Sequence, residues 1–409
     1  MMKGLKDIFP AVLMAFAMMV SSCMDLPQAY SDINTVAVSA IYPSGFEDFA
    51  RDGVTVTARN SDNGDIYSAV TGPSGIASIA LPDGLFTISI SDKKGVHIFN
   101  GTLDKVVVQG DAELGIPLQH SEGGSLVFKE IYCGGCSMAP KEGTYQSDKY
   151  AIIHNNSSEV YYLDSLCIGS ISPYNSTGTN PWISRNADGS IAYRDFVPIA
   201  QAVWQFGGDG KTFPLPPGGD AVVCFHGAID HTVGVPLSVN LNNSSYFVCY
   251  NQTYFPNTTY HPAPGDKILP DHILRVVIKT GVANAYTVSL SSPGMVIFKA
   301  RGTSIQEYVT GSDHILAVPG SSNDHVTAVP YSWILDAVEV FDGRSGSNAK
   351  RLPPALDAGF AIQSDIYKGR SLERYVNSEE SAKEGYEILQ DTNNSSNDFH
   401  ERETQSLHE

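Results

Sequence analysis

The chain has 409 residues, with 26 Lys and Arg against 44 Asp and Glu and a formal charge of −18 at pH 7. So acidic a chain repels phosphate backbones, which excludes non-specific nucleic-acid binding. The length implies about two to three domains, and 37 Gly, 20 Tyr and 17 Phe favour strands and turns over helices.

Lys3 and Lys6 precede a mainly apolar run from Ile8 to Val20, followed by the small residues Ser21, Ser22 and Cys23. A basic start, a short apolar middle and a small-residue cleavage site make a secretory signal. The run of about 13 residues is too short to cross a bilayer, which needs about 20. The ending "VSSC" resembles the lipobox of bacterial lipoproteins. That resemblance implies a signal over 1–22 and acylation of Cys23, which anchors the chain in a membrane. In "CMDLPQAYSD" only Asp25 matches the acidic cluster that often accompanies surface export, so the membrane face stays open. Residues 23–34 read as a polar tether.

From Thr35 short strands alternate with turns. "TVAVSAI" and "VTVTAR" show the period of two expected of half-buried strands, and "SDNGD" is an Asn-Gly turn. "GIASIALPDGLFTISIS" reads as strand, turn, strand; "VHIFNG", "KVVVQG" and "AELGIPL" extend the pattern to about Leu118. Seven or so short strands in this span predict a β-sandwich. "TGPSGIASIALPDGLFTISIS" resembles the prealbumin-like modules of exported bacterial proteins, which implies a spacer over 35–119. Some such modules carry a Lys–Asn cross-link. "TVAVSAI" has no lysine, so none is expected.

"HSEGGS" marks a boundary, and a second β region follows with long loops at Ser172–Val197 and Gln252–Ile268. Long loops on a strand scaffold are where recognition usually sits. "SLVFKEIY", "YAIIHNNSSEVYYLDSLCIG", "FPLPPGGDAVVCF", "WILDAVEVFD" and "GRSLERY" occur in the order of the lamin-tail-like, immunoglobulin-type domain and resemble it over 124–400. The arrangement as a whole, ending near "LQDTNNSSNDF", resembles a family of uncharacterised Bacteroidota lipoproteins of about this length. The resemblance implies an all-β envelope protein, lipid-anchored at the outer membrane on its periplasmic or outer face, with no activity to carry over. Residues 401–409 read as a polar tail that frays.

Five cysteines follow Cys23: Cys133, Cys136, Cys167, Cys224 and Cys249. "CGGC" follows a strand and precedes no helical pattern, so it lacks the helix N-terminus that activates a redox Cys-x-x-C. It reads as a loop with either a local disulfide or a cysteine paired elsewhere. Cys224 and Cys249 sit in strands, either as buried thiols or as a bridge between neighbours. "HGAIDH" sets His226 and His231 around Asp230 in a loop, and metal or haem capture through them is the alternative binding reading. "GRSLERY" reads as paired arginines bracing a hairpin. "SDNGD" and "NADGS" are turns rather than calcium loops.

No nucleophile elbow, phosphate loop or paired-histidine helix is present. The reading is therefore a non-catalytic protein without cofactor, acting by binding or adhesion or as an accessory to an outer-membrane complex. A loop-assembled hydrolase is the alternative. Tyr246, Tyr250, Tyr254 and Tyr260 offer rigid contact area with a polar tip. Partners of that surface are an outer-membrane transporter, a glycan or a host protein.

Overall fold

The computed structural model describes residues 33–95, 97–187 and 191–408. The signal segment and Cys23 lie outside the described residues. The protein is all-β, with strands throughout and short helical turns at Ile305–Tyr308, Ser378–Glu384 and Ser395–Asp398.

Eight strands form the first sandwich: β1 (Ile33–Ile41), β2 (Thr55–Asn60), β3 (Ile66–Val70), β4 (Ile76–Pro82), β5 (Gly84–Lys94), β6 (His97–Val108), β7 (Ala112–Pro117) and β8 (Gln119–Glu122). They pair in two sheets, ordered β4-β1-β7 and β3-β2-β5-β6-β8. The alternation read from the sequence is the burial pattern. Val36, Val38 and Ala40 of β1 face Val56, Ala58, Ile88 and Ile90 in one core, while intervening polar side chains face solvent. Two boundaries move. The tether is shorter than 23–34, because Ile33 and Asn34 pair with Pro82 and Leu81. His120 and Ser121 belong to β8 and not to a linker: they pair with Phe99 and Ile98 of β6.

The second region is a larger sandwich. One sheet contains β9 (Leu126–Tyr132), β10 (Tyr150–Asn155), β13 (Asp220–Cys224), β14 (Phe247–Val248), β21 (Ser371–Arg374) and β22 (Phe399–Arg402), ordered β14-β13-β10-β9-β21-β22. The other contains β11 (Cys167–Ile171), β12 (Phe196–Gln205), β15 (Arg275–Lys279), β16 (Gly294–Phe298), β17 (Ile315–Ala317), β18 (His325–Pro330), β19 (Ile334–Asp342) and β20 (Ala361–Gln363). Its order is β17-β18-β12-β11-β16-β19-β20, with β15 also on β12. Phe128, Ile153 and Val223 of the first sheet meet Ile168, Trp204, Ile297 and Val338 of the second in a shared core. Loops cover both outer faces. Ile152, Val222 and Cys224 pack under Val239 and Leu241 on one side. Val197, Val296 and Phe298 pack under Ile305 and Leu352 on the other. This double coverage explains why strands such as "YAIIHN" are buried along their whole length rather than alternating.

The helix Ser378–Glu384 begins where the Asn377 side chain accepts from the Glu380 N–H, and it stops at Gly385, whose φ of 81° is left-handed. Beyond it, 389–398 runs along the first sandwich. Asn100 Nδ2 donates to the carbonyls of Thr392 (2.7 Å) and Asn393 (3.1 Å), Lys93 Nζ to the Asp391 carbonyl (3.0 Å), and Asn394 Nδ2 to Ser91 Oγ (2.7 Å). Residues 401–408 do not fray as expected. Glu401 and Arg402 are in β22 and pair with Leu372 and Ser371. Ser406 N–H donates to Glu130 Oε1 at 2.9 Å, and Leu407 packs against the loop-covered core.

The cysteines do not bridge. All five in the described residues are buried free thiols. Cys224 belongs to the outer core and Cys249 to the core between the sheets, so their side chains point to opposite faces and cannot meet. In "CGGC", Cys133 enters the inter-sheet core while the Cys136 thiol faces Asp148 Oδ2 at 3.6 Å. The glycines between them serve a tight passage: Gly135 has φ of 69°, and a Cβ there would collide with the Tyr145 carbonyl. Burial pushes both thiols up to about 12, which keeps them protonated and unreactive.

Candidate functional site

The strand ladder builds the site. Tyr150 of β10 pairs with Cys224 of β13, and one step further the Phe225 N–H donates to the Lys149 carbonyl at 2.9 Å. That step leaves Lys149 and His226 as neighbours where the two strands run out. The loops at the same end come from both sheets: Tyr174 and Asn175 after β11, Thr287 to Ser291 before β16, and Arg344 after β19. Together with Gln146 and Tyr260 they line an open cavity of about 410 Å³, within the range of small-molecule sites.

The electrostatics of this cavity run against those of the chain. Lys149, His226 and Arg344 line it, and no Asp or Glu does. Lys149 is 2% exposed, and Nζ donates to the Val288 carbonyl at 2.6 Å. Burial pulls its pKa down to about 8, with Cys133 and Asp148 pulling the other way, so the ammonium form prevails at neutral pH. Arg344 forks onto Asp342 with its Nε at 2.9 Å and its Nη2 at 2.8 Å, so its charge is already balanced by a carboxylate beside the cavity.

His226 is 2% exposed, and neither ring nitrogen has a protein partner. Burial drives its pKa well below 6.5, helped by Lys149, His261 and His231, so the ring is neutral. An unpartnered buried imidazole costs free energy, of order 1–3 kcal/mol for each unsatisfied group, and such costs concentrate at sites of function.

His231 does not join it as a metal pair. Its Nδ1 meets the Tyr145 hydroxyl at 2.7 Å and its Nε2 the Gly227 carbonyl at 2.8 Å. Among the described residues, neither His226 nor His231 belongs to a group of three potential metal ligands. The four tyrosines scatter. Tyr260 lines the Lys149 cavity. Tyr246 lines a separate groove of about 640 Å³ bordered by Asn240, Asn242 and Lys267. Tyr250 stacks on His261 with ring centroids 5.2 Å apart. Tyr254 stands in solvent, 47% exposed. Of the cavity's residues, sequence reasoning singled out His226 and Tyr260 but not Lys149 or Arg344. The available signal for Lys149 was its position, a charge set directly against the all-apolar "YAII".

Arg374 of "GRSLERY" braces more than a hairpin. It is buried, and it bonds the Phe128 carbonyl (2.9 Å) together with Asp336, Asp391 and Asp398.

Residues 216–406 match the family model described as a protein of unknown function, DUF4876. A solved DUF4876 family protein from Bacteroides thetaiotaomicron is 25% identical, with a TM-score of 0.57 over 90% of this chain and 94% of its own. This agrees with the resemblance to uncharacterised Bacteroidota proteins read from the sequence. Two cohesin–X-dockerin complexes from Acetivibrio cellulolyticus are 24% and 20% identical over 22% of this chain, each with a TM-score of 0.17. They cover 59% and 65% of their own chains, and so small an overlap carries no argument. No curated protein matches. The DUF4876 likeness adds no sign of catalysis, and no helix of the described residues is long and apolar enough to cross a membrane.

Proposed function

We propose that this chain is a non-catalytic, lipid-anchored envelope protein of the outer membrane whose larger sandwich binds a small anionic ligand in the Lys149 cavity. One observation carries the reading: in a chain of charge −18, a cavity of about 410 Å³ is lined by Lys149, Arg344 and His226 and by no carboxylate. A buried ammonium in low dielectric attracts an anion far more strongly than a solvated lysine does. Tyr174 and Tyr260 supply flat apolar walls with polar tips, as a sugar acid or aromatic acid requires. Whether the ligand is free or part of a glycan on a transporter or host surface sets the partner.

Thermal shift with citrate, glucuronate and phosphate against neutral glucose tests the cavity. An anion is expected to raise the Tm of the wild type, and the effect should fade as pH rises through about 8, where Lys149 loses its proton. Lys149→Met is expected to keep the fold, since it replaces a buried charge by an apolar chain of similar length, and to abolish the shift. Equal shifts with glucose, or an anion effect that survives Lys149→Met, refute the cavity.

The anchor rests on "VSSC". Cells fed labelled palmitate are expected to label the wild type and not Cys23→Ala, and the variant should leave the membrane fraction. An unlabelled wild type removes the anchor from the proposal.

A further inference from the structure

We propose that the first sandwich carries a binding site for a divalent transition-metal ion of the Zn²⁺ class, formed by His97, His120 and Glu122. His97 opens β6 and pairs with Glu122 across the ladder, while His120 pairs with Phe99 two residues on. With a side-chain period of two, the three side chains share one face of the β6–β8 ribbon. His97 Nδ1 and His120 Nε2 stand 2.9 Å apart. One ring nitrogen of each and a Glu122 oxygen all lie within 4.8 Å of one another.

The geometry suits a metal. Nitrogen–zinc bonds are about 2.0–2.1 Å, so a tetrahedral pair sits about 3.3 Å apart; a small ring movement converts the observed contact into a chelate. Two imidazoles and one carboxylate favour Zn²⁺, Ni²⁺ or Cu²⁺ over Ca²⁺ and Mg²⁺. Three protein ligands leave a position for water.

The rings are held in place for this. Phe46 stacks on His120 with centroids 4.4 Å apart and also contacts His97, while Phe49 packs on His97 from the same loop. Both histidines are only partly buried, so an ion can reach them. The other His-carboxylate cluster in the described residues, His154 with Asp220 and Glu387, is unlike it. There Lys129 Nζ already occupies both carboxylates, at 2.8 Å and 2.5 Å. Metal at this site ties the start of β6 to β8, the last strand of the first sandwich, next to the face that meets 389–398.

The test is calorimetric titration of the full purified chain with Zn²⁺, with Mg²⁺ as control, on wild type, His120→Gln and Glu122→Gln. One zinc per chain is expected, with affinity at least about tenfold weaker in His120→Gln and no Mg²⁺ response. No zinc uptake by the wild type overturns the site, as does unchanged affinity in His120→Gln. Where circular dichroism shows that His120→Gln has lost its fold, the exposed Glu122→Gln decides: weaker zinc binding supports the site and unchanged binding overturns it. Co²⁺ loading adds an independent readout. A weak visible spectrum of nitrogen and oxygen ligands is expected. An intense thiolate charge-transfer band assigns the metal to cysteine and overturns the proposal.

Discussion

Arg374→Met is expected to destabilise the protein by about 3–5 kcal/mol, the usual loss when one partner of a buried ion cluster is removed. The guanidinium and all three of its carboxylate partners are at most 3% exposed. It is held by Asp336 at 2.8 Å, Asp398 at 3.2 Å and Asp391 at 3.4 Å, and by the carbonyls of Phe128 and Gln390. Without it, three carboxyl groups and two carbonyls remain in low dielectric with no cation. Urea unfolding of variant and wild type measures the difference, and a loss below about 1 kcal/mol would show that the cluster is not held by charge.

The loss should depend on pH. Burial raises Asp336 and pushes Asp398 up to about 6, against the lowering pull of Arg374. The unfolded chain releases these protons near 3.8, so the folded state holds protons that the unfolded state does not. That contribution is complete below about pH 4 and is lost as pH rises through about 6. Removing Arg374 raises the carboxyl groups further. The gap between variant and wild type is therefore expected to widen from pH 5 to pH 8.

Arg351→Met is expected to cost a similar amount, about 3–5 kcal/mol, and to weaken anion binding as well. Arg351 and Glu339 have no exposed side-chain surface, and their charged atoms meet at 2.6 Å. The same guanidinium donates to the carbonyls of Pro173 (3.1 Å) and Ser292 (3.0 Å). Those carbonyls adjoin Tyr174 and Ser291 in the cavity wall. Glu339→Gln in the same chain keeps an acceptor for the Arg351 and Leu352 N–H groups while removing the orphaned charge, so it should restore part of the stability. It should not restore anion binding, because the two wall loops stay untied. Denaturation curves and the citrate shift, measured on both variants, separate the effects. Full recovery of binding in the double variant would show that Arg351 does not position the wall.

The strands of the first sandwich were legible because one face of each is wet. Val36, Val38 and Ala40 alternate with Thr35, Ala37 and Ser39, and the burial follows. In the second region this signal fades, since strands such as Cys167–Ile171 are buried on both faces. The cavity was nearly invisible for a different reason. Lys149, Tyr174, Thr287 and Arg344 are far apart in sequence and meet only because β10, β11, β13, β16 and β19 start or end at one edge of the sandwich. Cys224 and Cys249 are the buried strand thiols that the sequence offers as one reading, while Cys133 and Cys136 mislead because spacing suggests pairing, whereas partnership depends on which way each thiol faces. Polarity near the chain end suggests solvation and fraying, but Ser406 and Arg402 are polar because they bond Glu130 and Glu373.

The docking of 389–398 on the first sandwich sets a timetable for assembly. Lys93 waits for a carbonyl 298 positions downstream, and Asn100 for one 292 downstream. As the chain emerges in order, the leading module completes its own sheets early. Its docking is then completed only when almost the last residue has been delivered. A copy cut short before Gln390 would keep the contacts of Ala355, Ala358 and Phe360 with the leading module, and quality-control proteases would meet a seam that the finished molecule fastens further.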